Sequence, residues 1–244
     1  MAWSIAAKKS LLNSFSNTKK IEGKIEIVYP AVLPYKGKKK IDKKFVTLLF
    51  VGSIFEGKGG LEVLKSFAVL RKKYDVKLII KADVPERIKK KFNFRNIEFY
   101  PYKTEILPRV KLLENFFARA DIFVYPTYCD IFGLCLLDAL SVGIPIIATD
   151  IFAVPEIVED SKNGFLIHSP IRWHDKNYLW NPRRFKKNRK LIVNQLIKKI
   201  SLLIENSSLR KKMGRYGREL VKNGKFSIKK RNKKLKRIYE EVLE

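Results

Sequence analysis

The stretch Asp121-Ile122-Phe123-Val124-Tyr125-Pro126, followed at once by Asp130-Ile131-Phe132-Gly133-Leu134-Cys135-Leu136-Leu137-Asp138, decides the fold of this chain. The first run is short, apolar and rich in β-formers, so it reads as a buried strand. The second passes from an acidic loop through a Gly into an apolar run that reads as a buried helix. One carboxylate, Asp130, then sits on the loop at the carboxyl end of a strand. The other, Asp138, lies about two turns along the helix, roughly 12 Å away at 1.5 Å per residue. In open α/β sheets ligands bind at that edge, and a helix N-terminus favours phosphate.

Working outward, the same alternation fills residues 45–168. Strands are predicted at Phe45–Gly52, Val76–Ile80, Ile97–Tyr100, Ile122–Tyr125, Ile144–Ala148 and Gly164–Ile167. Helices are predicted at Gly59–Lys73, Pro85–Lys91, Glu105–Arg119, Gly133–Leu140 and Val154–Val158. Strands separated by helices give an α/β class: a Rossmann-like parallel sheet with helices on both faces. Residues 1–44 read as a separate lead-in: a helix at Ala2–Phe15, a strand at Lys24–Tyr29 and the basic linker Lys36–Lys44. Residues 169–244 read as basic C-terminal helices completing the same domain, over Leu191–Ile204, Ser208–Val221 and Ile228–Leu243. An aromatic and basic segment containing Arg172, Trp173, His174, Tyr178, Trp180, Arg183, Arg184 and Phe185 precedes them.

Charge narrows the partners. The chain carries 52 Lys and Arg against 24 Asp and Glu, a net of +28, and +18 of that falls in Pro170–Glu244. Such a surface attracts polyanions: nucleic acid, anionic lipid or phosphorylated compounds. A charged thermophile-style surface would look the same. The Trp173–Trp180 region could face a membrane or pack on the core as a surface loop. No readable nucleic-acid motif accompanies the charge, which makes nucleic acid an unlikely partner. No apolar run reaches the length of a membrane span. Met1 to Lys19 has no apolar region of a secretory signal, so a cytoplasmic protein is expected, one that could sit peripherally on the inner face of the membrane. Cys129 and Cys135 read as small buried hydrophobes rather than a disulfide or metal pair. The two His, His168 and His174, lie outside the core motifs with no ligand cluster, and no Asp-x-Asp pair is present, so no metal is expected.

A second loop completes the candidate site. The first core strand runs into Gly52-Ser53-Ile54-Phe55-Glu56-Gly57-Lys58-Gly59-Gly60, and a helix follows. This is not a Walker A loop. Small residues let the backbone approach a ligand, and Lys58 puts a cation at the helix N-terminus. With Phe132-Gly133-Leu134, two helix N-termini and one Lys can converge on a diphosphate. Taken alone, the loop reads equally well as a Gly-rich turn with a solvated Lys.

These pieces resemble the C-terminal, nucleotide-sugar-binding half of GT-B glycosyltransferases of retaining family 4. The resemblance rests on Phe50-Val51-Gly52-Ser53 with Lys58-Gly59, on Pro126-Thr127 before Asp130-x-Phe132-Gly133-x4-Asp138-Ala139-Leu140, and on Gly143-Ile144-Pro145 through Pro155-Glu156 and Asn163-Gly164-Phe165. Ala2-Trp3-Ser4 and Ile25 to Pro30 are similar to the end of the family's N-terminal domain and its linker. Most of that acceptor-binding domain is therefore expected to be absent, leaving a donor half that could be a truncated gene, a fragment, or one subunit of a split enzyme that works with a separate acceptor-domain chain.

The resemblance implies roles. Lys58, with the loop residues Gly52 and Ser53, would contact the donor pyrophosphate. Ser53 stands where the family usually has Arg. Backbone N–H groups near Phe132, Gly133 and Leu134 would hold phosphate. Asp130 would bind hydroxyls of the transferred sugar, and Asp138 the ribose. Lys58 and Asp130 are the catalytic candidates. The family has Glu where Asp130 and Asp138 stand, and placement errors near 1 Å cost on the order of a hundredfold in rate. The implied activity is transfer of a hexosyl unit, with retention, from a UDP- or GDP-sugar to a lipid-linked or polysaccharide acceptor. No cofactor beyond that donor is implied. A non-catalytic nucleotide-sugar-binding protein and a basic nucleic-acid-binding protein are the alternatives. Glu156 reads as a helix-terminal acid favoured by the dipole rather than a ligand contact.

Overall fold

The computed structural model describes residues 1–14, 18–103, 107–170 and 182–243. Six strands form one parallel sheet in the order β3-β2-β1-β4-β5-β6. They are β1 (Val46–Val51), β2 (Val76–Lys81), β3 (Ile97–Tyr100), β4 (Ile122–Tyr125), β5 (Ile146–Thr149) and β6 (Gly164–Ile167). The helices are α1 (Ile5–Ser14), α2 (Lys19–Glu22), α3 (Gly60–Leu70), α4 (Glu86–Lys91), α5 (Arg109–Asn115), α6 (Leu134–Val142), α7 (Val154–Ile157), α8 (Pro182–Glu205), α9 (Ser207–Lys222) and α10 (Ile228–Leu243). The order reverses between β1 and β4, so the loops after these two strands flank the switch point where such sheets bind ligands.

The central strands are apolar on both faces because both faces are covered. On β1, Leu49 and Val51 pack with α6 and the Phe116–Phe117 corner, while Leu48 and Phe50 pack with α3 and α8. Alternate side chains of β2 and β4 divide in the same way. The expected Rossmann-like sheet is therefore the observed one, and three strands carry the predicted bounds.

Several expectations are corrected. Lys24–Tyr29 is not a strand: a single parallel bridge joins Ala2 and Ile27. Ala2 donates to the Glu26 carbonyl and accepts from the Val28 amide, both at 2.8 Å, and the chain then turns into α1, leaving no partner for a longer ladder. The helix expected at Glu105–Arg119 is α5 plus a separate 3-10 turn at Phe117–Arg119. Pro108 is extended (φ −53°, ψ 144°) just before α5. At the other end Phe116 leaves helical geometry (φ −126°) as Phe116 and Phe117 turn into the core. Helix α8 starts at Pro182, nine residues ahead of the expected Leu191. The proposed aromatic patch at Trp173, Tyr178 and Trp180 lies outside the described residues.

One carboxylate gathers the start of the lead-in onto the core. Glu156 accepts the Ile5 and Ala6 amides at 2.8 Å each, and the Tyr29 hydroxyl at 2.8 Å. Ser4 Oγ takes the Ala7 amide at 2.9 Å. Glu156 thus caps α1, a helix distant in sequence, rather than its own helix α7. Removing a cap typically costs about 0.5–2 kcal/mol. Glu156→Ala should therefore lower unfolding free energy by about 1–2 kcal/mol in urea titration, with Glu156→Gln losing less. A loss below about 0.5 kcal/mol for the Ala variant would mean that the cap does not hold the lead-in in place.

Candidate functional site

The β1–α3 loop and the β4–α6 loop meet over the carboxyl edge of the sheet. Gly59 opens α3 with φ 79°, and a Cβ there would lie 2.3 Å from the Pro126 carbonyl oxygen. Only glycine allows these loops to approach so closely. A Cβ on Gly52 would stand 3.0 Å from the Lys58 Cβ and Cγ, so Gly52 leaves room for the lysine stem.

Lys58 crosses from one loop to the other. Its Nζ donates to the Cys129 carbonyl at 2.6 Å and to Asp130 Oδ2 at 2.8 Å. Both side chains are largely enclosed, at 13% and 14% exposure. An ammonium has three donors, so one proton of Nζ remains for a ligand. Asp130 Oδ2 also accepts the Tyr125 hydroxyl, and Oδ1 accepts the Phe132 amide at 3.2 Å. Burial, the nearby Cys135 and Asp130 all hold the Tyr125 phenol well above its usual range, so it stays a donor. Gly133, at φ 86°, then starts α6. The Leu136 amide bonds to the Gly133 carbonyl, whereas the Gly133, Leu134 and Cys135 amides find no acceptor among the described residues. Three N–H groups at a helix N-terminus beside a lysine make an anion site.

These groups line an open cleft of about 350 Å³. It brings together Gly52, Ser53, Lys58, Asp130, Phe132, Gly133 and Leu134, all predicted from sequence, and adds Trp3, Tyr102, Tyr125 and Cys135. Tyr125 had a readable signal: it is the one hydroxyl-bearing residue in an apolar strand, at the end that meets the ligand edge. Trp3 had none, because only the capped lead-in brings its ring 6.4 Å from Phe132. Among the described residues no group of His, Cys, Asp and Glu is arranged to hold a metal.

Asp138 does not line this cleft. It sits on α6 at 9% exposure, with Oδ1 taking the Arg109 Nε at 2.7 Å, while Oδ2 takes no hydrogen bond from the described residues. Burial raises the Asp138 carboxyl above the usual carboxylate range, and Arg109 opposes the shift. Arg109 also reaches the Leu33 carbonyl and Ser141 Oγ, at 3.4 and 3.3 Å.

The chain belongs to the family described as glycosyl transferases group 1, which it matches over residues 34–177. It is 27% identical over 202 residues to the capsular polysaccharide biosynthesis glycosyltransferase CapM of Staphylococcus aureus, spanning 77% of this chain and 46% of that protein. The chain thus spans less than half the length of that curated relative. The fold is that of the C-terminal domain of the group 1 glycosyl transferase LpcC from Francisella tularensis, with a TM-score of 0.57, 24% identity and coverage of 78% of this chain and 93% of that one. It is also shared with S. aureus TarM, crystallised with UDP, at a TM-score of 0.71 and 19% identity, covering 98% of this chain and 43% of TarM. These neighbours are GT-B glycosyltransferases, and the six-stranded parallel sheet is a Rossmann-like fold that matches theirs.

The Asp138–Arg109 pair carries a pH test. An acid whose folded pKa is raised binds its proton more tightly when folded, so stability falls as pH rises from the unfolded to the folded pKa. Arg109→Ala removes the opposing cation and widens that window upward. Urea titrations at pH 5 and pH 8 should show a larger loss of stability with rising pH in Arg109→Ala than in the parent. An equal pH slope in both would show that Arg109 does not hold the charged form.

Proposed function

We propose that this chain carries the donor-binding domain of a retaining, family 4 glycosyltransferase, binding a UDP- or GDP-sugar whose hexosyl unit is transferred to a lipid-linked or polysaccharide acceptor. One observation carries the reading: the free Lys58 proton and the unpaired Gly133, Leu134 and Cys135 amides face one cleft. That is the donor set a diphosphate needs. The CapM likeness and the UDP bound by TarM support it.

In this reading the diphosphate lies between Lys58 and the α6 N-terminus, with Gly52 and Ser53 against its other side. Asp130 receives hydroxyls of the transferred sugar. Asp138 offers Oδ2 to the ribose, with Arg109 holding Oδ1. The leaving diphosphate departs on the face that the acceptor enters and takes the acceptor's proton. Lys58 and the helix N-terminus stabilise the negative charge that develops on it. An acceptor-binding domain closes the cleft over Trp3 and Ile131, and the enzyme works in the cytoplasm on the inner face of the membrane. No metal takes part. Among the described residues no helix is long and apolar enough to cross a membrane.

A binding-only protein is the second reading. Asp130 favours it, because its carboxylate is already held by Lys58, Tyr125 and Phe132 and is one methylene shorter than Glu. The net charge of +28 is the single feature that favours nucleic acid.

Calorimetric titration with UDP-, GDP- and ADP-sugars tests the proposal. One donor should bind, and Lys58→Ala should weaken it roughly tenfold or more, as loss of a charge-assisted bond of about 1.5–3 kcal/mol requires. Asp130→Ala should act mainly through the sugar, weakening the sugar nucleotide more than the free nucleoside diphosphate, whereas Asp138→Ala should weaken both alike. Absence of binding at millimolar concentration would end both readings. Binding without donor hydrolysis, once an acceptor-domain chain is supplied, would favour the second.

A further inference from the structure

A second charged cavity lies at the opposite, amino edge of the sheet. It occupies about 360 Å³ between the start of α9, the end of α6 and the basic linker. Lys39, Arg210, Lys211, Arg215 and Arg218 line it, and Asp121 is the one carboxylate among its lining residues. Asp121 is already committed, since Oδ2 takes the Thr47 amide at 2.9 Å. Arg210 and Arg218 are also partly committed, to the Ile204 carbonyl at 2.9 Å and the Tyr35 carbonyl at 2.7 Å. Lys39, Lys211 and Arg215 have no acceptor within hydrogen-bond distance among the described residues.

Lys39 is the informative member. It is half-buried, and burial holds its ammonium below the usual lysine range; Asp121 opposes that shift and Arg210 adds to it. An enclosed cation without a hydrogen-bond partner costs free energy. Sequence offers many exposed sites for a lysine, yet this one is placed among four other cations. A neighbouring cavity lined by Lys36, Arg215, Arg218 and Lys222, with Glu219 as its one carboxylate, continues the groove along α9. Positions 211, 215, 218 and 222 fall on one stripe of a helix. Ile41, Val142 and Pro145 give the first cavity an apolar wall.

The geometry points to a second anion site here, separate from the donor cleft, that takes a phosphate-bearing organic group. Its phosphate oxygens accept from Lys39, Lys211 and Arg215, and its organic part lies along the Ile41 side. The same chemistry is offered by a soluble phosphorylated compound and by a phospholipid headgroup.

The test uses the full chain carrying Lys58→Ala, so that the donor cleft does not compete, with inorganic pyrophosphate as probe in titration calorimetry. One saturable binding event is expected. Adding Lys39→Met should weaken it at least tenfold while raising the thermal midpoint without ligand. Arg215→Ala, an exposed change that spares the fold, should also weaken it. Lys233→Met on the outer face of α10 should leave it unchanged. No saturable binding, or equal weakening by all three changes, would overturn the site in favour of diffuse charge. Phosphatidylglycerol vesicles, set against phosphatidylcholine vesicles, identify the source. Displacement of pyrophosphate by the former alone assigns a lipid headgroup, and undisturbed pyrophosphate binding assigns a soluble phosphate compound. Failure of the sugar-nucleotide titration leaves this result untouched, because the two sites share no residue.

Discussion

The bridge from Lys58 to Asp130 is the contact around which the site is built. It joins two loops that are far apart in sequence and adjacent only because β1 and β4 pair in the sheet. Everything near it serves that closure. Gly59 lets the loops touch, Gly52 clears the lysine stem, and Tyr125 presents its hydroxyl from the end of β4. Phe132 then turns its amide back to the same carboxylate, which leaves the next three amides facing the cleft. A lysine held this way has a fixed position and one spare proton. It is therefore preorganised for an anion, and binding does not have to meet the cost of ordering a long side chain.

The same bridge gives a physical reading of Asp130. A longer acid would carry its carboxylate further into the cleft. The shorter one stays against the wall, within reach of Lys58, Tyr125 and the Phe132 amide at once. The chain thus keeps a firmly held carboxylate on the wall of the cleft. Asp138 differs in kind. Its partner Arg109 comes from α5, whose start is set by Pro108, and the pair ties α5 to α6 outside the cleft.

The sheet was legible because its strands are short apolar runs with turn residues at fixed places. Ile97–Tyr100, Ile122–Tyr125 and Gly164–Ile167 could be read residue by residue. The cleft was legible where glycine and charge coincide, at Gly52, Lys58, Asp130 and Gly133. What escaped reading depends on distant pairings. Lys24–Tyr29 has the composition of a strand, but its pairing is a single bridge from Ile27 to Ala2. Glu156 looks like an acid serving its own helix and instead caps α1 across more than a hundred residues. Arg109 carries no local sign that it will meet Asp138. The basic cavity around Lys39 is likewise invisible in composition, which shows only that lysines are plentiful.

The central claim is that Lys58 and Asp130 act as one unit in holding a sugar nucleotide. A double-mutant cycle on donor affinity, using the parent chain, Lys58→Ala, Asp130→Ala and the double variant, tests it most directly. Residues in one hydrogen-bonded network show coupling of about 0.5–3 kcal/mol. The account predicts that the double variant loses clearly less affinity than the two single losses combined, with a coupling of about 1 kcal/mol or more. Losses that add within about 0.3 kcal/mol would contradict it, because the two side chains would then meet the donor independently.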